Sequence, residues 1–187
     1  MSAAFACETE WCAITGAPSS GKTSVIEELA RRGHAVQGEV ARELIQTDLK
    51  AGKSLSEIRD KDHVQQLQRR ILDVKLARER ELDPKRLVFM DRGLPDSIAY
   101  FRLAGLDPSP AVEASKIFRY RAVFLLERLP LVKDGVRTED DRQAAAIENM
   151  IVADYGSLGY DITRVPVLGI APRADFILQK LGDKSRA

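Results

Sequence analysis

Residues 16–23 read GAPSSGKT, an unbroken GxxxxGK[ST] pattern preceded by the apolar run Trp11, Cys12, Ala13 and Ile14. At average residue frequencies a chain of this length shows the pattern by chance on the order of once in a hundred, so the flanking sequence decides its meaning. Residues 22–32 put Val25, Ile26 and Leu29 on one helical face, and Gly33 follows as a stop. Strand, glycine-bearing loop and helix in that order commit the chain to a sheet whose first crossover carries a phosphate-binding loop. Gly16 and Gly21 permit a tight curl that turns successive N–H groups inward, and the next helix adds its positive end. Gly16, Ala17, Pro18, Ser19, Ser20, Gly21, Lys22, Thr23 and Ser24 are therefore the expected nucleotide cradle. In such a loop Lys22 reaches the β and γ phosphates, and the Thr23 hydroxyl is the expected protein ligand of Mg²⁺. The plainer alternative, a Gly/Ser-rich turn with a surface lysine, does not account for the strand and helix on either side.

The 187 residues suit a single domain with its own core, and 44% hydrophobic with 30% charged residues is ordinary globular chemistry. Twenty-nine Lys and Arg against 28 Asp and Glu give a net charge of +1. That lacks the basic excess a protein needs when nucleic-acid phosphates supply its affinity. Residues 1–10 carry Glu8 and Glu10 and have neither a basic start nor a sustained apolar stretch, so they read as a flexible leader rather than a signal peptide. Residues 11–187 form the domain, a cytoplasmic address follows, and no membrane partner is expected. Cys7 and Cys12 are expected as free thiols. The oligomeric state is open, a homodimer included.

Strand and helix signals alternate along the chain. A short strand at 35–36 leads into a helix at 39–50 that ends at Gly52. One long polar helix, 54–82, opens on the Ser54/Glu57 capping box and stops at Asp83 and Pro84. A buried strand at 87–90 runs into Asp91, and Pro95 opens a helix with Ile98 and Phe101 inward and Gly105 at its end. A helix at 109–119, a strand at 122–126, a helix at 139–157, a strand at 162–167 and a final helix with Pro172 in its first turn and Gly182 after it complete the pattern. Five buried strands joined by helices predict an α/β fold of three layers around a parallel sheet. Ligands in such sheets sit at the carboxyl ends of the strands.

Besides the phosphate loop after the first strand, three strand exits carry chemistry. After the second strand, Glu39 can take the proton of an attacking hydroxyl and Arg42 can grip a substrate phosphate or carboxylate; equally, the pair fits an ordinary helix start. After the third, four apolar residues and then Asp91 look like a Walker B element beside Mg²⁺, and Arg92 places a fixed positive fork over the transferring group. An Asp capping the next helix is the other reading. Between the fourth strand and the following helix, residues 134–142 read as a lid hinged at Gly135, with Arg137 and Arg142 closing on the triphosphate; Thr138 and Asp141 also fit a helix cap. On the long helix, Gln65, Gln68 and Arg69 are candidate walls of an acceptor pocket, against a mostly solvated charged face. His34 and His63 show no metal-ligand spacing.

GAPSSGKT after a short strand, the GEVAREL stretch at 38–44, DRG after the third strand, the arginine-bearing lid and the PRADFILQKL helix together resemble the nucleoside and nucleotide kinase group of P-loop proteins. Within that group the sequence is most similar to predicted AAA-type ATPases related to the nicotinamide-riboside kinase domain, over residues 11–181. The resemblance implies a 2-3-1-4-5 strand order, ATP with Mg²⁺, and phosphoryl transfer to a small nucleoside-, nucleotide- or riboside-like acceptor. By the same resemblance Glu39 acts as base, and Asp91 and Arg92 serve metal and acceptor. Gly93 and Leu94 depart from the Ser or Tyr usual in that group. An ATP- or GTP-binding NTPase or nucleotide sensor without an acceptor is the alternative. A guanine reader of the NKxD type is absent, since the sole asparagine, Asn149, precedes Met150 inside a predicted helix.

Overall fold

The computed structural model describes residues 4–128 and 141–184. In chain order the elements are β1 (Cys7–Glu8), β2 (Cys12–Thr15), α1 (Lys22–Arg31), β3 (Ala35–Gln37), α2 (Val40–Lys50), α3 (Leu55–Ile58) and α4 (Lys61–Glu81). They continue as β4 (Val88–Asp91), α5 (Asp96–Leu103), α6 (Ser109–Ser115), β5 (Phe118–Arg119), β6 (Ala122–Leu126), α7 (Asp141–Ser157), β7 (Ile162–Val165) and α8 (Ile170–Lys184).

The main sheet runs β3-β4-β2-β6-β7 with every neighbouring pair parallel, which is 2-3-1-4-5 when its five strands are counted along the chain. Every residue of β2, β4 and β6 is buried, the signature of strands covered on both faces. One face packs Met90, Val123 and Leu125 against Leu72 of α4, Ile98 of α5 and Ile151 of α7. The other packs Ile14, Phe89 and Phe124 against Val25 and Leu29 of α1 and Ile177 of α8. Each large aliphatic side chain so buried contributes about 1.5–3 kcal/mol. The three layers leave the carboxyl ends of β2, β3 and β4 side by side.

Three local departures from the sequence reading have physical causes. The helix expected over 54–82 is broken: α3 keeps the Ser54/Glu57 capping box, but the Asp60 carboxylate accepts from the N–H groups of Asp62 and His63 and starts α4 anew. Asp competes for backbone donors in this way, and the local cap overrides the longer periodicity. Gly182 does not end the last helix. A glycine inside a helix costs only about 1 kcal/mol, and Leu181, just before it, is anchored in the core. The helix expected over 109–119 stops at Ser115, and Phe118–Arg119 instead pair in parallel with Cys7–Glu8. The N–H groups of Ala6, Cys7 and Thr9 donate to the carbonyls of Lys116, Ile117 and Arg119 at 3.1, 2.9 and 2.9 Å. The Phe5 ring stands edge-on to Tyr160 at 5.5 Å. Neither Cys7 nor Cys12 is in a disulfide.

Candidate active site

β2 delivers the chain into the phosphate loop with Gly16 at φ 142°, Ser19 at φ 62° and Gly21 at φ 85°. A Cβ on Gly16 would lie 2.8 Å from the carbonyl oxygen of Leu126, so close approach to β6 and backbone angle both require glycine there. Lys22 opens α1 and folds back over the loop, its Nζ donating to the carbonyls of Gly16 (3.1 Å) and Ala17 (2.7 Å) and to Ser20 Oγ (3.2 Å). Burial, reinforced by the charge of Arg92, brings its pKa down to about 7. Thr23 and Ser24 follow, both half-buried.

β4 ends in Asp91, 3% exposed, whose Oδ1 has no hydrogen-bond partner among the described residues. Burial and then the charge of Glu39 push its pKa up to about 6. Arg92 adopts a left-handed conformation, φ 68°, which costs a non-glycine residue of order 1–3 kcal/mol. The surroundings hold it there. Its N–H donates to the carbonyl of Ile14 (3.0 Å), Nη1 to Gly16 O and Asp96 Oδ1 (both 3.1 Å), and Nε to Glu39 Oε1 (3.4 Å). The guanidinium also lies 5.2 Å from the centre of the Tyr100 ring. One side chain thus joins the exits of β2, β3 and β4.

Asp96 completes that junction from the first turn of α5. Fully buried, it also accepts from Thr15 Oγ1 (2.5 Å), the Gly93 N–H (3.1 Å) and Tyr155 Oη (2.7 Å). Burial alone would raise its pKa, yet Arg92, Lys75 and the hydrogen bonds from Thr15 and Tyr155 hold it below the ordinary value. Between Arg92 and Asp96, Gly93 sits on the tyrosines: a Cβ there would lie 2.5 Å from Tyr120 Cε2 and 2.8 Å from Tyr155 Oη. That contact leaves no room for a side chain at position 93.

Beside the junction opens a concavity of about 440 Å³ including its mouth, lined by Glu39, Gln68, Lys75, Asp91, Arg92, Ser97 and Tyr100 with Val40, Ala41 and Ile71. Ser97 Oγ is buried and, like Asp91 Oδ1, has no hydrogen-bond partner among the described residues. Lys75 Nζ donates to the Gly93 carbonyl at 2.7 Å. Glu39 ends the extended segment just before α2.

Of the residues singled out in the sequence, Lys22, Glu39, Asp91 and Arg92 therefore converge, and Gln68 lines the concavity. Arg42 is exposed and 3.7 Å from Glu39 Oε2, outside the lining. Gln65 Nε2 donates to the Ala104 carbonyl, Arg69 is exposed, and Arg142 is exposed at the start of α7. Arg137 and most of the expected lid lie outside the described residues. Sequence reasoning passed over Asp96, Lys75, Ser97, Tyr100 and Tyr155. The one signal present was Asp96 four residues after Arg92, a spacing that suits an ion pair on one turn.

For Mg²⁺ the donor set fits. This ion takes one or two protein oxygens and leaves its other positions to water and phosphate; the Thr23 hydroxyl and the orphaned Asp91 oxygen supply that number. Among the described residues no group of three or more His, Cys, Asp or Glu forms a metal cage, and no helix is long and apolar enough to cross a membrane.

A family model described as AAA domain matches residues 11–173. No curated protein matches the sequence. Among solved structures, the fold is similar to NadR protein in complex with NR, at TM-score 0.64 and 16% identity over 84% of this chain; the chain spans only 45% of that protein. It is also similar to deoxyadenosine kinase from M. mycoides, at TM-score 0.63 and 17% identity, covering 92% of this chain and 99% of the other. Thymidylate kinase from Ehrlichia chaffeensis gives TM-score 0.62 and 15% identity, covering 94% and 99%. At these identities the likeness shows a shared P-loop kinase fold.

Proposed function

The chain belongs to the AAA domain family, and from that premise we propose that it is an ATP- and Mg²⁺-dependent kinase that phosphorylates a small acceptor held in the concavity beside Arg92. The observation that carries the reading is the convergence, on one side of the sheet, of a phosphate loop with Lys22 turned over it and a cavity bearing Glu39, Asp91 and Arg92. The similar solved proteins whose printed names are kinases support the same class.

The residues divide the work by position. The loop amides and Lys22 bind the triphosphate; Thr23 and Asp91 would hold Mg²⁺, which would supply positive charge to offset that of the phosphates. Glu39 accepts the proton of the acceptor hydroxyl. Arg92, fixed by Asp96 and Tyr100, orients Glu39 and presents positive charge to the transferred group without having to reorganise. Ser97 Oγ and Gln68 offer hydrogen bonds to the acceptor. Arg142, at the start of α7, and Arg137 would add positive charge toward the triphosphate. A second reading, nucleotide hydrolysis or sensing without an acceptor, is favoured by the family description, which names no acceptor.

An acceptor screen following ADP release, over nucleosides, nucleotides, ribosides and aminoglycosides, separates the two. A kinase shows one saturable acceptor that raises ADP release well above the rate with water. ATP turnover unmoved by every acceptor sinks the kinase reading in favour of the second.

A further inference from the structure

Arg173 lies in the first turns of α8, outside the phosphate motif and outside the concavity, and is 2% exposed. Its guanidinium donates from Nε to the carbonyl of Pro166 (3.0 Å), from Nη1 to that of Ser20 (2.7 Å) and from Nη2 to that of Glu127 (3.0 Å). The three acceptors belong to three separate segments: the phosphate loop after β2, the exit of β6 and the exit of β7.

A loop that turns its N–H groups inward to make an anion nest turns carbonyls the other way, and a buried carbonyl needs a donor. Three cations meet that need here. Lys22 serves Gly16 and Ala17 from inside the loop, Arg92 serves Gly16, and Arg173 serves Ser20. A triphosphate in the nest draws Lys22 away from its carbonyls. Arg92 and Arg173 then hold the loop from its two ends.

We propose that Arg173 is a positioning residue for the nucleoside triphosphate: through Ser20 it keeps the phosphate loop in its anion-receiving shape, in register with the exits of β6 and β7. The proposal rests on nucleotide binding at residues 16–24. Three carbonyls in three directions match a planar fork with five N–H donors, which a lysine ammonium does not reproduce. The buried charge standing behind the loop also adds to the field on the triphosphate.

Calorimetric titration of the full chain with Mg-ATP, and separately with inorganic tripolyphosphate, tests this on wild type, Arg173→Lys and Arg173→Met, with thermal melts alongside. We expect Arg173→Lys to weaken both ligands about fivefold and Arg173→Met about ten- to a hundredfold, the range for hydrogen bonds to charged groups. Added methylguanidinium restores affinity to the Met variant, which a generally loosened fold would not show. Wild-type affinity in both variants, with only the melting temperature lowered, overturns the proposal and leaves Arg173 as a staple of the fold. If Arg173→Met does not fold, the Lys variant decides alone, and unchanged affinity there overturns it. Absence of heat with wild type is a different failure, one that removes the nucleotide reading along with this one.

Discussion

The two halves of the site are built from different materials. The phosphate half is main chain: a loop of amides whose outward carbonyls are pinned by Lys22, Arg92 and Arg173. The half proposed to take the acceptor is side chain, contributed by α2, α4, β4 and α5 around a cavity with two polar atoms that have no hydrogen-bond partner among the described residues. Main-chain sites are fixed by φ and ψ and recognise a charge pattern common to many ligands; side-chain sites change with single substitutions and carry specificity. The difference teaches that binding of a triphosphate and choice of acceptor can vary independently, with Arg92 as the hinge between them.

The largest effect that can break this division is on the phosphate side. Lys22→Ala should reduce ADP release by about a thousandfold or more, through lost stabilisation of charge on the transferring group; a loss smaller than that of every acceptor-side variant would reverse the assignment of the halves. Next comes Glu39→Gln, expected to lower transfer by about two to four orders of magnitude while calorimetric ATP affinity stays within about twofold. Unchanged transfer removes Glu39 as the base, and a parallel fall in ATP affinity means the halves are not separable.

Smaller effects sharpen the junction itself. Gly93→Ala puts a Cβ against Tyr120 and Tyr155 and should destabilise by about 1–3 kcal/mol in urea unfolding, the usual cost of overpacking. A stability equal to wild type would mean the rings yield freely. The smallest effect is protonic. Lys22 titrates near pH 7 because burial disfavours its charged form, and phosphate oxygens favour that form, so nucleotide binding raises its pKa. At pH 8 the free protein holds Lys22 mostly neutral, and binding takes up close to one proton, whereas below pH 6 it takes up almost none there. Calorimetry in buffers of different ionisation enthalpy reads this directly; equal heats in all buffers at pH 8 refute it.

Much of the fold was legible because its signals are local and repeated. GAPSSGKT with its flanking strand and helix, four apolar residues before Asp91, and turn residues at Gly33, Gly52 and Gly105 each point to the same crossover pattern. What escaped was decided by competition or by distance. Asp60 captured two N–H groups and broke a periodicity that otherwise ran on to Glu81. The pairing of Cys7–Glu8 with Phe118–Arg119, flanked by a bond from the Thr9 hydroxyl to the Arg119 carbonyl 110 residues away, joins distant segments that no periodicity encodes. Among the polar residues that line the concavity, the sequence drew attention to those next to strands and, within helices, to Gln68 alone. Asp96, Lys75 and Tyr155 look like any polar or aromatic residue on a helix until the helix is docked. Arg173 is the extreme case: an arginine in an otherwise ordinary amphipathic segment, whose partners are carbonyls, which leave no trace in sequence.

The resting position of Lys22 has one more consequence. With Nζ already bonded to two carbonyls and a hydroxyl, engagement of this lysine by a ligand is an exchange of partners rather than a first contact. An anion drawn to Lys22 therefore competes with the loop's own oxygens for the same amine.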